Sequence, residues 1–176
     1  MKMIFDNVSK NLEKHKDSIV GDDCFFCIGT THNDTPDKNE YRRIEYNIPI
    51  NVAKIAKSNS VNSFIYVSCM GANPNSLGSY FKNKGQAEEE LKNLNFSKLA
   101  VIRPWALLGK RKTFRLRERI AIFVLRRLSI FFLGNLKKYK PIQGECVGKA
   151  MVSIAENNYD KITFENDELQ EIGKFI

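Results

Sequence analysis

Apolar positions along the chain fall into two patterns that alternate. Short, nearly continuous apolar runs occur at Asp23–Ile28 (DCFFCI), Asn62–Ser68 (NSFIYVS), Lys98–Arg103 (KLAVIR) and Lys161–Glu165 (KITFE). Their length and their aromatic and β-branched content predict strands, the first of them buried. Between Glu40 and Lys57 the apolar residues sit at Ile44, Ile48, Val52, Ile55 and Ala56. That is helical spacing, and Pro49 inside it predicts a kink or a break. Ser79–Leu94, Phe114–Leu133 and Cys146–Glu156 are predicted as further helices. Asn166 is placed to N-cap a last helix through Phe175. Ahead of these, Lys2–Phe5 is a short strand candidate, and residues 9–19 are polar and weakly helical.

Strands alternating with helices predict an α/β fold, doubly wound around a mainly parallel, Rossmann-type sheet. No repeat, low-complexity tract or linker divides the sequence, so the 176 residues are expected to form one domain.

Composition adds little except through charge. Hydrophobic content of 43% and a mean hydropathy of −0.36 describe a globular chain. No run approaches the ~20 apolar residues of a membrane helix. Four cysteines and an N-terminus that turns polar early point to a reducing, cytoplasmic setting. The net charge is +8, yet Lys110–Lys140 alone holds eleven Lys/Arg against Glu118. The excess therefore belongs to one segment, and nucleic-acid binding by the whole domain is not expected. Apolar residues at Leu116, Ile120, Phe123, Val124, Leu128, Phe131 and Phe132 make Phe114–Lys140 an amphipathic helix with a cationic rim. It could pack on a core or meet an anionic membrane surface, an acidic partner or cofactor phosphates. Arg126-Arg127 excludes a spanning helix.

Candidate chemistry gathers between Phe64 and Lys84. A strand ends in Ser68, a Gly/Asn/Pro-rich loop follows, and a helix opens near Tyr80. Tyr80 and Lys84 are four apart and share a helix face. A lysine cation there would lower the phenol's pKa, and Ser68 would hydrogen-bond a substrate oxygen. Gly29-Thr30-Thr31 leaves another strand end, where a small-residue turn lets a ligand approach the backbone or simply closes a tight turn. Cys24 and Cys27, three apart on a strand, face opposite ways, and no His cluster joins them, so no metal site is expected. His15 and His32 lie in polar stretches without a spaced partner.

Seven blocks then line up in order: FFCIGTT, YRRIEYN, NSFIYVSCMGANPNS, YFKNKGQAEEEL, VIRPWALLGKR, YKPIQGECVGKAMV and ITFENDELQEIGK. Together they resemble the atypical short-chain dehydrogenase/reductase family of the HTATIP2 type, over most of residues 20–174. The resemblance implies a Rossmann-type fold that binds NADP(H) or NAD(H). It implies that Ile28, Gly29 and Thr30 contact the cofactor, as do Leu107 and Arg115. It further implies Tyr80 as proton donor, Lys84 as its partner and ribose holder, and Ser68 as the catalytic serine. The family usually reads Ser-Ser at this point, where this chain reads Ser68-Cys69.

The family also opens with a strand and a Gly-rich turn that seats the pyrophosphate on a helix N-terminus. That turn does not occur in this sequence, whose KMIFDN resembles the end of the family's third strand. The expected sheet is thus incomplete at its N-terminal side, as in a truncated or split gene product. Asp23–Ile28 becomes an exposed apolar edge to be covered by self-association or by a second polypeptide. The first expectation is an NAD(P)(H)-dependent oxidoreductase whose activity suffers from the missing turn. The alternatives are a non-catalytic dinucleotide-binding or regulatory module, and a peripheral binder of anionic membrane or an acidic partner through residues 114–140.

Overall fold

A computed structural model describes residues 12–109 and 134–174. The predicted strand at Lys2–Phe5, the amphipathic helix at Phe114–Leu133 and Arg115 lie outside the described residues.

Strands and helices alternate as the pattern predicts. Strand β1 (Asp23–Phe26) leads to α1 (Lys38–Arg42), a π-helical segment (Arg43–Asn47) and α2 (Ile48–Ser58). Strand β2 (Ser63–Val67), helix α3 (Ser79–Asn93) and strand β3 (Lys98–Arg103) follow. Then come β4 (Leu107–Leu108), a 3-10 turn (Gly134–Tyr139), β5 (Ile142–Gln143), α4 (Gly144–Glu156), β6 (Thr163–Glu165) and α5 (Asn166–Ile172). The main sheet has the order β1-β2-β3-β6. Strands β1 and β2 run parallel, with Asp23 opposite Ser63 and Phe26 opposite Tyr66. This is a Rossmann-type α/β arrangement.

The chain forms two compact units, Met1–Val101 and Ile102–Ile176, and the division falls inside β3. In the first, Phe26, Phe64, Tyr66, Val101, Ile48 and Leu91 form a core between the sheet and the helices. In the second, Ile142, Val147, Ile154, Phe164 and Leu169 are buried, and β4 pairs β5 in parallel.

Three expectations change here. The helix broken around Pro49 becomes two α-helices joined by a π-helical turn. Pro49 has no N–H to give to the carbonyl four residues back, and its ring crowds that carbonyl. The ladder instead shifts by one, so that Ile48 N–H bonds Arg43 O. The strand at 23–28 is shorter than predicted, and it is an edge of the four-stranded sheet among the described residues. Its Phe25 is 44% exposed, and Cys27 is exposed beyond its end. Finally, Glu165 rather than Asn166 caps α5, through a reciprocal pair with Glu168. The Asn166 side chain instead accepts from Trp105 N and donates to Lys138 O and Lys140 O.

Candidate active site

The site is built in the first unit, where the ends of β1 and β2 meet the first turns of α3. Helix α3 buries Asn83, Lys84, Ala87, Glu88 and Leu91. Apolar content alone does not explain that face, because two of these residues are charged. Gly85 explains how the loop after β2 reaches it. A Cβ on Gly85 would lie 2.3 Å from Asn73 C and Pro74 N, so only glycine admits this backbone.

Lys84 is 4% exposed. Its Nζ donates to Val67 O at 3.1 Å, at the end of β2. It also lies 3.1 Å from Glu45 Oε2 and 4.9 Å from the centre of the Tyr66 ring. The Glu45 contact lacks hydrogen-bond alignment and is primarily a charge contact. The other oxygen of Glu45 accepts Thr30 N–H at 2.5 Å. A Cβ on Gly29 would come within 3.2 Å of that oxygen, so the bare turn makes room for the carboxylate.

Tyr80 is part-buried and packs edge-on against Phe81, with ring centres 5.4 Å apart. Burial pushes its phenol pKa well above the ordinary value, and Cys69 and Glu45 push the same way. Lys84 opposes them. Cys69 is thus the neighbour whose thiol acts most strongly on that phenol. Ser68 is engaged elsewhere: its Oγ donates to the buried carboxylate of Glu88. Of the two residues at the strand end, Cys69 therefore meets Tyr80, and Ser68 is turned into α3.

The remaining sequence candidates are placed as follows. Ile28 and Thr30 are part-buried at the end of β1, and Ile28 packs on the core. Leu107 lies in the second unit, where it pairs with Ile142 and is 39% exposed. Cys24, Cys27, Cys69 and Cys146 are all free thiols. Among the described residues there is no cluster of metal ligands, and no helix is long and apolar enough to cross a membrane.

Several contacts escape sequence reasoning. Glu45 carried no motif, and among Arg42, Arg43 and Asn47 it reads as one more polar residue of an amphipathic helix. His32 stacks on Tyr41, with ring centres 3.9 Å apart and an 8° tilt. Its Nε2 shares a 3.0 Å hydrogen bond with Ser79 Oγ, next to Tyr80. Arg42 donates to Asn83 Oδ1 and Gln86 Oε1, tying α1 to α3.

No family model matches the chain. It is 35% identical over 141 residues to Protein FMP52-1, mitochondrial, of Scheffersomyces stipitis, covering 78% of this chain and 60% of that protein. It is 34% identical over 150 residues to Protein FMP52, mitochondrial, of Candida albicans, covering 84% and 65%. The chain thus spans about three-fifths of the length of the curated relatives it matches. Among solved structures, it resembles MoeE5 in complex with UDP-glucose and NAD (TM-score 0.61, 12% identity, 91% of this chain and 64% of that one). It also resembles the ADP-L-glycero-D-manno-heptose-6-epimerase of Helicobacter pylori (TM-score 0.62, 16% identity, 96% and 62%). At these identities the likeness establishes the Rossmann-type fold. The relatives carry the name FMP52 and not HTATIP2. Their names also read mitochondrial, which overturns the cytoplasmic expectation. That expectation rested on four cysteines and on an N-terminus that turns polar early, and neither feature separates the cytoplasm from an organelle whose targeting segments are amphipathic rather than apolar.

Proposed function

We propose that this chain carries the proton-transfer half of an NAD(P)(H)-dependent oxidoreductase of the atypical short-chain dehydrogenase/reductase group, of the FMP52 and HTATIP2 kind, acting in mitochondria. The observation that supports it best is the buried Lys84 ammonium, held at a strand end and acting on the phenol of Tyr80. An ammonium has three N–H donors. Val67 O and Glu45 face it at 3.1 Å each, which leaves donor capacity for a ribose hydroxyl.

The fit covers the ribose end of a dinucleotide. The pyrophosphate end finds no counterpart among the described residues. Asp37 caps α1 by accepting Glu40 N–H, so a carboxylate already occupies that helix start. A bound nicotinamide would supply or accept the hydride. Tyr80 gives a proton to, or takes one from, the substrate oxygen, and Lys84 stabilises the phenolate that results. The Cys69 thiol stands where a second hydroxyl donor is expected, and a thiol is the weaker donor.

A second reading is favoured by that same substitution and by the engagement of Ser68 with Glu88. In it the chain is a dinucleotide-binding or regulatory module that retains the fold without turnover.

Titration with NADPH and NADH, followed by nucleotide fluorescence and by melting temperature, tests both readings. Binding with carbonyl-dependent oxidation of the nucleotide, lost in Tyr80→Phe while binding remains, is the expected result. Binding without turnover favours the module. If millimolar nucleotide changes neither signal, both readings fail.

A further inference from the structure

Glu45 is a buried charged residue that takes no part in the proton transfer above. It is 1% exposed, and burying a carboxylate is costly unless it is paired. It lies in the π-helical segment, where Ile44 and Glu45, neighbours in sequence, are both buried. Such one-turn π segments recur at functional sites.

The Glu45 carboxylate joins two features separated in sequence. One oxygen accepts Thr30 N–H at the end of β1, and the other lies 3.1 Å from Lys84 Nζ on α3. Lys84 is thereby held from two sides, by the Val67 carbonyl and by this carboxylate, over the Tyr66 ring. We propose that Glu45 is a positioning residue: it fixes the Lys84 ammonium beside Tyr80 and balances its charge, so that Lys84 can stabilise the phenolate without leaving the phenol ionised at rest. The inference rests on Tyr80 and Lys84 being the proton-transfer pair.

The groups that act on Tyr80 are Cys69 from the strand-end loop, Lys84 from its own helix and Glu45 from the π-helical segment. Around Lys84 stand Tyr41 on α1, Cys27 beyond β1 and Tyr66 on β2, and Glu88 acts on Tyr66 from α3. Among these, Glu45 is the carboxylate in contact with Lys84. Removing its charge should leave the ammonium uncompensated and ease ionisation of the phenol.

Glu45→Gln removes the charge but keeps the size and an acceptor for Thr30 N–H. Glu45→Asp keeps the charge. In each background Tyr80 is replaced by 3,5-difluorotyrosine, whose phenol titrates several units lower, and is followed by fluorine NMR without nucleotide. Glu45→Gln should lower the apparent pKa by about one unit, and Glu45→Asp should restore most of it. An unchanged titration in a folded Glu45→Gln protein would overturn the inference and leave Glu45 a merely structural residue. Should Glu45→Gln fail to fold, the wild-type protein still decides. A long-range coupling from Lys84 Nζ to the Val67 carbonyl carbon and through-space nuclear Overhauser contacts between the ammonium end of Lys84 and the Glu45 side chain are expected, and absence of the latter overturns the inference. Nucleotide binding is measured on the same samples. Its failure sinks the oxidoreductase reading, while the fluorine shift still reports whether Glu45 governs Tyr80.

Discussion

Replacing Lys84 by methionine removes the cation and keeps an unbranched apolar stem in its place. The perturbation leaves the Glu45 carboxylate buried with only Thr30 N–H to satisfy it. The side chains of the pair are 5% and 1% exposed, so little solvent screening relieves the loss. Breaking a buried pair from one side costs about 3–5 kcal/mol. For a chain of this size ~1 kcal/mol shifts the melting temperature by roughly 2–4 °C, so a drop of about 6–20 °C is expected. That is a large part of the ~5–15 kcal/mol that holds a typical domain together. Removing both charges in Lys84→Met/Glu45→Gln should recover most of the loss, because no charge then remains buried. The assay is urea unfolding of the wild type, both single variants and the double variant, read as a double-mutant cycle. A Lys84→Met protein within ~1 kcal/mol of wild type would refute the reasoning, since the pair would then be solvated or unformed. A double variant no better than Lys84→Met would show that volume, not charge, dominates the site.

Three further outcomes follow from the same geometry. Cys69→Ser restores a hydroxyl beside Tyr80 and should raise turnover about tenfold, the worth of a modestly better hydrogen bond; steady-state assay of unchanged or lower kcat would remove Cys69 from the substrate side. Gly85→Ala forces a Cβ to within 2.3 Å of the Asn73–Pro74 backbone and should cost about 1–3 kcal/mol in urea unfolding, with wild-type stability counting against the tight loop. Burial, and then the neighbouring Cys27, push the Cys24 thiol from 9.0 up to about 11. The fold retains this proton after the unfolded chain has lost it, so the associated stability is complete below pH 9 and declines towards about pH 11. Melting curves of Cys24→Ala should fall less steeply across that window than the wild type, and parallel curves would exclude the linkage.

Periodicity alone determined much of this protein. The apolar runs located the strands of the main sheet, and helical spacing placed Tyr80 and Lys84 on one face, because i and i+4 are neighbours on any α-helix. The composition of 23–28 also marked it as a strand, but its exposure was decided by position in the sheet: at the edge of the described strands only one side is paired. Tertiary packing decided the rest of the site. Ser68 and Cys69 follow one another just beyond β2, and only the position of α3 selects whether the hydroxyl or the thiol meets Tyr80. Glu45 was invisible as a partner because the π-helical turn breaks the 3.6-residue period from which facing is read. Its contacts with Thr30 and Lys84, like that of Ser68 with Glu88, join separate elements. Such contacts exist only once the helices have packed on the strand ends, and no local pattern encodes them.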